Sequence, residues 1–248
     1  MRVNWNTLKA VRFYLVVLLL TISWRDVSSP LFDTIPSMTI LGFEFRSNAQ
    51  LYSLQILAML SLAWAAYRPT FASLGFAMLG FGTFTAASYS MVYINGFHYL
   101  PHSENIHFFL LGLLALRCLN QADHVWLTKA MILVIGWSYF AAFLTKIRNV
   151  GFDWAWNETL PFYFKTFSLV SDNSTLAWLA TQKTILLTIG LATLGFESLA
   201  LPGLLWKRTR HLTIALALAF HTAVYLLFGI QFLFSYVAAY ALIWSEDA

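Results

Sequence analysis

The chain has 248 residues, of which 59% are hydrophobic and only 10% are charged, against roughly 25% charged residues in a typical soluble domain. This composition excludes a water-soluble globular protein. It also excludes a disordered, collagen-like or coiled-coil chain, because the sequence is neither charge-rich, nor rich in Pro and Gly, nor heptad-patterned. We therefore predict an all-α polytopic membrane protein, folded as one transmembrane domain over residues 1–248.

Cysteine content and net charge limit the chemistry and the partners. Cys118 is the only cysteine, so an internal disulfide and a cysteine metal cluster are both excluded. The net charge of +4 arises from 15 Lys and Arg residues against 11 Asp and Glu. Most of the basic residues lie between apolar runs, where they orient transmembrane helices. The sequence therefore implies the lipid bilayer as a partner and no nucleic acid.

Apolar runs of membrane-spanning length recur along the chain. A spanning helix needs about 20 apolar residues, because the hydrocarbon core is about 30 Å thick. We predict about eight transmembrane helices, near residues 8–24, 50–67, 71–94, 106–119, 126–147, 184–205, 211–228 and 231–244. The last two are separated only by Gly229 and Ile230, so seven spans with a re-entrant segment also fit the pattern.

The distribution of Lys and Arg predicts the orientation. With eight spans and both termini in the cytoplasm, nine of the 15 basic residues lie inside and six outside. The loop at 95–106 and the segment at 148–183 then share the non-cytoplasmic face. We expect an integral membrane protein of a bacterial inner membrane.

The segment at 148–183 is the long connection between spans, and it mixes aromatic with charged residues. Trp154, Trp156, Phe164 and Trp178 are among its aromatic side chains. Such a mixture favours the membrane interface. We predict one or two interfacial helices that cover a cavity or receive a lipid-borne substrate. A surface helix without a ligand is the alternative.

Four ionisable side chains lie within or at the ends of apolar spans, where such groups usually face a partner or a wet cavity. They are Lys146, His107, Glu197 and His221. Lys146 ends the fifth span, where one interpretation is a side chain that reaches the lipid headgroups. The other is a desolvated amine that acts as a general base.

His107 opens the fourth span, close to His98 and His102. Zinc binding by these three histidines is disfavoured, because the five-residue spacing does not fit one helix face and Pro101 interrupts the run. His107 is otherwise a helix-start residue or a functional group. The sequence therefore predicts no metal site.

Glu197 and His221 are predicted to be partners. Glu197 lies inside the sixth span, where the hydrocarbon offers its carboxyl group no water. His221 lies in the middle of the next span, at a similar distance from the short turn at 206–210. The pair either locks two neighbouring helices together, or serves as a proton relay or an anchor for a polar ligand head.

Three blocks of sequence carry a resemblance to a known family. One block runs from Tyr139 through Lys146 to Ile147, and Asp153 and Trp154 follow it. The second runs from Asn105 to Ala115 and has a glycine five residues after His107. The third joins Phe220 and His221 to the aromatic run at 228–236. In this order and spacing the blocks resemble the vitamin K-dependent γ-carboxylase family, whose membrane part is the HTTM domain.

The resemblance implies a specific chemistry. In that family, a lysine at the position of Lys146 is the base that deprotonates a reduced naphthoquinone, and a histidine at the position of His107 assists by hydrogen bonding. It further implies quinol oxygenation and epoxidation, with or without carboxylation. We expect Glu197, His221, Trp154 and Asn105 to contribute to binding the reduced quinone.

The expected function is therefore that of an integral membrane enzyme, a short form of this family without the large lumenal domain. Its cofactor would be a vitamin K hydroquinone-like or menaquinol-like quinol, and no metal. The alternatives are a non-catalytic membrane binding or transport protein, and a partner subunit that assists peptide processing. In that last case a peptide or protein partner is implied.

Overall fold

The computed structural model describes residues 5–23, 38–40, 43–45, 48–94, 102–119, 124–171, 173–228 and 232–247. This part of the chain is almost entirely helical. Its α-helices are α1 (Trp5–Ser23), α2 (Asn48–Tyr67), α3 (Phe71–Ile94), α4 (His102–Leu119), α5 (His124–Val150), α6 (Thr159–Ser171), α7 (Ser174–Leu179), α8 (Lys183–Leu205), α9 (Lys207–Phe228) and α10 (Phe232–Asp247). A 3-10 helix, Gly151–Ala155, lies between α5 and α6.

Each of the eight predicted spans coincides with a helix, namely α1 to α5 and α8 to α10. The predicted and observed ends differ by at most four residues, at the starts of α4 and α9. Long uninterrupted apolar runs specify these helices, since a backbone in lipid must satisfy its own hydrogen bonds. The predicted helical architecture is confirmed.

Four stretches of the described chain are long and apolar enough to cross a membrane: Ala49–Tyr67, Trp126–Ala155, Lys183–Leu205 and Lys207–Phe228. Two more apolar stretches, Phe71–Ala87 and Ile106–Cys118, are shorter than a span. The structure therefore supports a membrane protein, whereas the count of eight spans stays a prediction.

The outer surfaces of these helices are compatible with lipid. At most a third of each spanning stretch is buried within the protein. Large apolar side chains, such as Leu199, Leu212 and Leu226, are instead exposed on α8 and α9. Exposed apolar surface on this scale is unfavourable in water. The same surface is compatible with contact to the acyl chains of lipids.

A small β-hairpin departs from the all-α prediction. Strands β1 (Met38–Ile40) and β2 (Phe43–Phe45) are antiparallel, with Met38 opposite Phe45 and Ile40 opposite Phe43. Apolar residues alternate with Thr39 and Glu44, which face each other in the register. This period of two is typical of a strand, and three residues were too few to predict it.

The described chain divides into two compact units. One unit comprises Met1–Met131 together with Phe234–Ala248, and the other comprises Ile132–Leu233. In the first unit, α1 packs on α2, α2 on α3 and α3 on α4. A Cβ atom on Gly80 would lie 3.3 Å from the Cα atom of Ala58, so the backbones of α2 and α3 approach closely there. The prediction of a single domain stays a prediction.

The second unit is built around a cluster that the short helices bury against α8. The cluster consists of Trp154 and Ala155 of the 3-10 helix, Leu160 and Phe164 of α6, Leu176 of α7, and Leu186 and Leu194 of α8. Along the same segment Phe152, Phe162 and Trp178 are exposed. The region predicted at 148–183 is thus helical and two-sided. Its position on a bilayer surface stays a prediction.

Candidate functional site

Lys146 and Glu197 form an ion pair between α5 and α8. The Nζ atom of Lys146 donates to both carboxylate oxygens of Glu197, at 2.7 Å to Oε1 and 2.9 Å to Oε2. The side chain of Glu197 is 6% exposed and that of Lys146 is 22% exposed. Glu197 is therefore buried, whereas the side chain of Lys146 is partly exposed.

Trp154 closes one side of this pair. Its indole ring lies with the centroid 5.0 Å from Nζ of Lys146, which is within the range of a cation–π contact. Trp154 itself is buried in the cluster of the second unit. Phe143 and Ile147, which lie close to Lys146 in the sequence of α5, pack against the same cluster. Apolar residues of α5 thus join the cluster that contains Trp154.

Two glycines allow the chain to place Trp154 there. Gly151 has a φ of +73°, a conformation that glycine adopts without steric penalty, and it begins the 3-10 helix directly after α5. Gly190 lies on α8, where an added Cβ atom would be 2.7 Å from the Cα atom of Ala155. The 3-10 helix therefore rests directly on the backbone of α8.

Pairing makes the burial of these two charges possible. A lone carboxylate or ammonium group in an apolar environment is strongly disfavoured, and it is tolerated only with a hydrogen-bonded partner of opposite charge. The ammonium donates two charge-assisted hydrogen bonds to Glu197, which are stronger than neutral ones. The site is thus a net-neutral pair of an ammonium group and a carboxylate, which can exchange a proton, beside the indole ring of Trp154.

The predicted partnership of Glu197 with His221 is wrong. Glu197 binds Lys146, and Nε2 of His221 instead lies 2.6 Å from the hydroxyl oxygen of Tyr139 on α5. The expected packing of α8 on α9 is confirmed, since a Cβ atom on Gly203 would lie 2.4 Å from Oγ1 of Thr213. Glu197 and His221 were expected at a similar depth on neighbouring helices, but depth did not determine the partner of Glu197. The long side chain of Lys146 reaches the carboxylate from α5.

His221 and Tyr139 form a buried pair among aromatic rings. Each residue is 4% exposed. The ring of Tyr139 makes an edge contact with Phe196, at 5.1 Å between centroids, and Phe220 stacks beside Phe196 at 5.4 Å. The hydrogen bond links α5 to α9 within the second unit.

His107 lies in the first unit, where it is 2% exposed. Its Nδ1 atom is 3.1 Å from the hydroxyl oxygen of Tyr14 on α1. Its Nε2 atom is buried and has no hydrogen-bond partner among the described residues. Asn105 lies two residues earlier in α4, and its side chain is outside the described part of the structure.

The structure thus brings together Lys146, Glu197 and Trp154, and it pairs His221 with Tyr139. Lys146 and His107 belong to different compact units, and the predicted cooperation of these two residues stays a prediction. Among the described residues no group of three His, Cys, Asp or Glu side chains could hold a metal ion. His98 lies outside the described residues.

Sequence reasoning missed Tyr14 and Tyr139 as partners of the two histidines. Tyr139 precedes Lys146 by seven residues, which is two helical turns and therefore the same face of α5. That spacing is a usable signal for Tyr139. For Tyr14 the available signal is only a hydroxyl group within an apolar run, where a polar group needs a partner.

The comparisons with known proteins leave the identity open. No family model, no curated protein and no solved structure matches this chain.

Proposed function

We propose that this chain is an integral membrane enzyme that acts on a reduced quinone, with Lys146 as the base. The observation that supports the proposal is the Lys146–Glu197 pair, which lies between two helices long and apolar enough to span a membrane. Within the proposal, the chain belongs to the vitamin K-dependent γ-carboxylase-like family. It resides in a bacterial inner membrane with both termini in the cytoplasm.

Glu197 can accept a proton from Lys146, and this transfer converts the lysine into a base. In the ion pair, Nζ carries three protons and has no lone pair for another. Transfer of one proton from Nζ to Oε1, over 2.7 Å, breaks an N–H bond, forms an O–H bond and leaves a neutral amine beside a neutral carboxyl group. Both forms of the pair are net-neutral, so apolar surroundings penalise this step far less than the creation of a lone charge.

The neutral amine can then accept a proton from a hydroxyl group within hydrogen-bonding reach. After that second transfer Lys146 is again an ammonium group, Glu197 keeps the first proton, and the negative charge resides on the deprotonated hydroxyl. The ammonium group stabilises that charge at short range. Lys146 is thus the proposed catalytic residue, and Glu197 is the residue that positions it and stores its proton.

The surroundings of Lys146 support a quinol as the ligand. A quinol presents polar oxygens on a flat ring, and the ammonium group has one N–H beyond the two that Glu197 accepts, beside the indole ring of Trp154. When bound, the quinol supplies a weakly acidic hydroxyl group and the electrons for a reaction with oxygen.

Quinol-dependent oxygen consumption by the purified protein in lipid vesicles tests the proposal. We expect turnover in the wild type, after subtraction of the rate in protein-free vesicles, and a decrease of about a hundredfold or more in Lys146→Ala. Lys165→Ala is the matched control, because Lys165 is an exposed lysine on α6. It should leave the rate unchanged.

An unchanged rate in Lys146→Ala would contradict the role of the lysine. Wild-type protein that retains quinone but shows no turnover would contradict the enzyme and favour a binding or transport protein. Turnover that requires an added second protein would favour the partner subunit in peptide processing.

A further inference from the structure

One ring nitrogen of His107, Nδ1, has a hydrogen-bond partner, and the other, Nε2, has none among the described residues. The hydroxyl oxygen of Tyr14 is 3.1 Å from Nδ1 and 3.5 Å from the backbone carbonyl oxygen of His107. Tyr14 is 0% exposed and His107 is 2% exposed, so water does not compete for this bond. Nε2 is buried in the same way.

The geometry favours one position for the ring proton. A phenolic hydroxyl has one proton to donate, and Nδ1 is the nearer of its two acceptors. When Tyr14 donates to Nδ1, that nitrogen is unprotonated, and the neutral ring carries its proton on Nε2. The opposite tautomer would leave the Tyr14 hydroxyl with only the carbonyl oxygen at 3.5 Å, which is too long for a good hydrogen bond.

The ring surroundings described here are aromatic. The ring of Phe81 on α3 makes an edge contact with the imidazole at 6.2 Å between centroids, and the Tyr14 ring lies at 5.8 Å. Neither ring supplies an acceptor to Nε2. A buried N–H group without an acceptor is unfavourable, and such groups in native proteins usually mark a bound molecule or a functional role.

We propose that Tyr14 is a positioning residue that holds His107 in the tautomer presenting Nε2–H to an acceptor oxygen of a membrane-soluble ligand. The inference rests on the proposed function insofar as the ligand is a quinone, whose ring oxygens are acceptors of this kind. Tyr14 itself contacts the histidine, and it acts on the ligand only through that ring.

Nitrogen NMR on protein with ¹⁵N-labelled histidine, in lipid nanodiscs, tests the inference, because protonated and unprotonated ring nitrogens give different signals. His107→Gln assigns the His107 signals. We expect Nε2 protonated and Nδ1 unprotonated in the wild type. Addition of a short-chain oxidised menaquinone should shift the Nε2 signal.

Tyr14→Phe should produce a mixture of tautomers and weaken menaquinone binding about fivefold, the effect expected from one hydrogen bond that orders a binding group. Tyr139→Phe is the matched control, since it removes the equivalent hydroxyl group from His221 in the other unit. It should change the His221 signals and leave those of His107 in place.

A wild-type protein with Nδ1 protonated would overturn the inference, and this measurement does not require any variant to fold. An unchanged tautomer and unchanged affinity in Tyr14→Phe would overturn it as well. If the wild type holds the expected tautomer but menaquinone shifts no His107 signal, the ligand assignment at His107 is overturned, while the role of Tyr14 in setting the tautomer stands. The proposed function fails separately, if quinol-dependent oxygen consumption does not depend on Lys146.

Discussion

At the scale of single residues, the two members of the buried ion pair differ in their access to the surroundings. The side chain of Lys146 is 22% exposed and has four flexible methylene groups, whereas that of Glu197 is 6% exposed. A lysine that loses its partner can extend its ammonium group outward. A buried carboxylate that loses its partner cannot reach outward in this way; it must take up a proton or stay charged without a partner, both at a cost in free energy. The loss of Lys146 and the loss of Glu197 should therefore not have equal effects on stability.

We therefore predict that Lys146→Met destabilises the protein more than Glu197→Leu does. The first should cost about 3 kcal/mol, the range found when one partner of a buried ion pair is removed, and the second about 1 kcal/mol less. The double variant should regain most of the stability, because it leaves no unpaired charge. Unfolding monitored in one detergent at fixed pH measures all three.

The double variant also separates stability from function, since it should be folded and yet inactive with quinol. Equal destabilisation by the two single variants would argue against the asymmetry described above. A double variant less stable than either single variant would argue against a direct interaction between the two side chains.

The residue scale also shows where sequence reasoning reaches its limit. Lys146, Glu197, His107 and His221 could each be singled out, because a charged or titratable group in an apolar run needs a reason to be there. Their partners could not be assigned, because partnership depends on which helices are neighbours in space. Tyr139 lies on the same face of α5 as Lys146, and that spacing indicates a residue near the site but not that its partner is His221.

At the scale of elements, the contact between α8 and the 3-10 helix is what brings Trp154 to the ion pair. Gly190 permits the contact, because any side chain there would meet backbone atoms of Ala155 at 2.7 Å and 2.8 Å. Backbone atoms cannot move aside as the end of a flexible side chain can. The position of Trp154 therefore depends on a glycine one helix away.

Gly190→Ala should displace the 3-10 helix and destabilise the protein by about 2 kcal/mol, in the range seen for overpacked sites. Gly195→Ala is the control on the same helix, since nothing lies within 4 Å of the added Cβ atom. It should be neutral or stabilise by up to about 1 kcal/mol, because alanine favours a helix. Unfolding and quinol-dependent oxygen consumption are the two measurements.

If Gly190→Ala behaves like Gly195→Ala in both measurements, the close approach of the 3-10 helix to α8 does not matter for stability or activity. The placement of Trp154 would then lose its explanation.

The apolar pattern of the sequence predicts the long helices well and the short irregular elements poorly. Long runs such as those of α8 and α9 are located to within four residues, because length and hydropathy alone specify them. The sharp turn at Gly151 and the β-hairpin escaped prediction. Both depend on a few residues whose conformation the surrounding structure selects.

At the scale of the whole molecule, the basic residues predict the orientation in the membrane. The positive-inside pattern predicts that the segment at 148–183 lies outside and the turn between α8 and α9 inside. Because α8 connects these two positions, labelling both of them tests the orientation of α8 without an assumption about the total number of spans.

Cysteine labelling in intact cells tests this orientation. After Cys118→Ser, which removes the native thiol, single cysteines are introduced as Glu158→Cys and Arg208→Cys at exposed positions. A membrane-impermeant maleimide should label position 158 in intact cells and position 208 only after permeabilisation. The reverse pattern would invert the orientation, and labelling of both positions in intact cells would contradict a spanning α8.

The measurement closest to the central claim is mass spectrometry of the lipids that remain with gently purified protein. Wild type and Lys165→Ala should retain a menaquinone or ubiquinone, and Lys146→Ala should lose it, because in the proposed site the ammonium group of Lys146 donates a hydrogen bond to a quinone oxygen. Quinone retained equally by all three proteins would contradict the placement of Lys146 in the site. The absence of quinone from every sample would contradict the quinone-directed function itself.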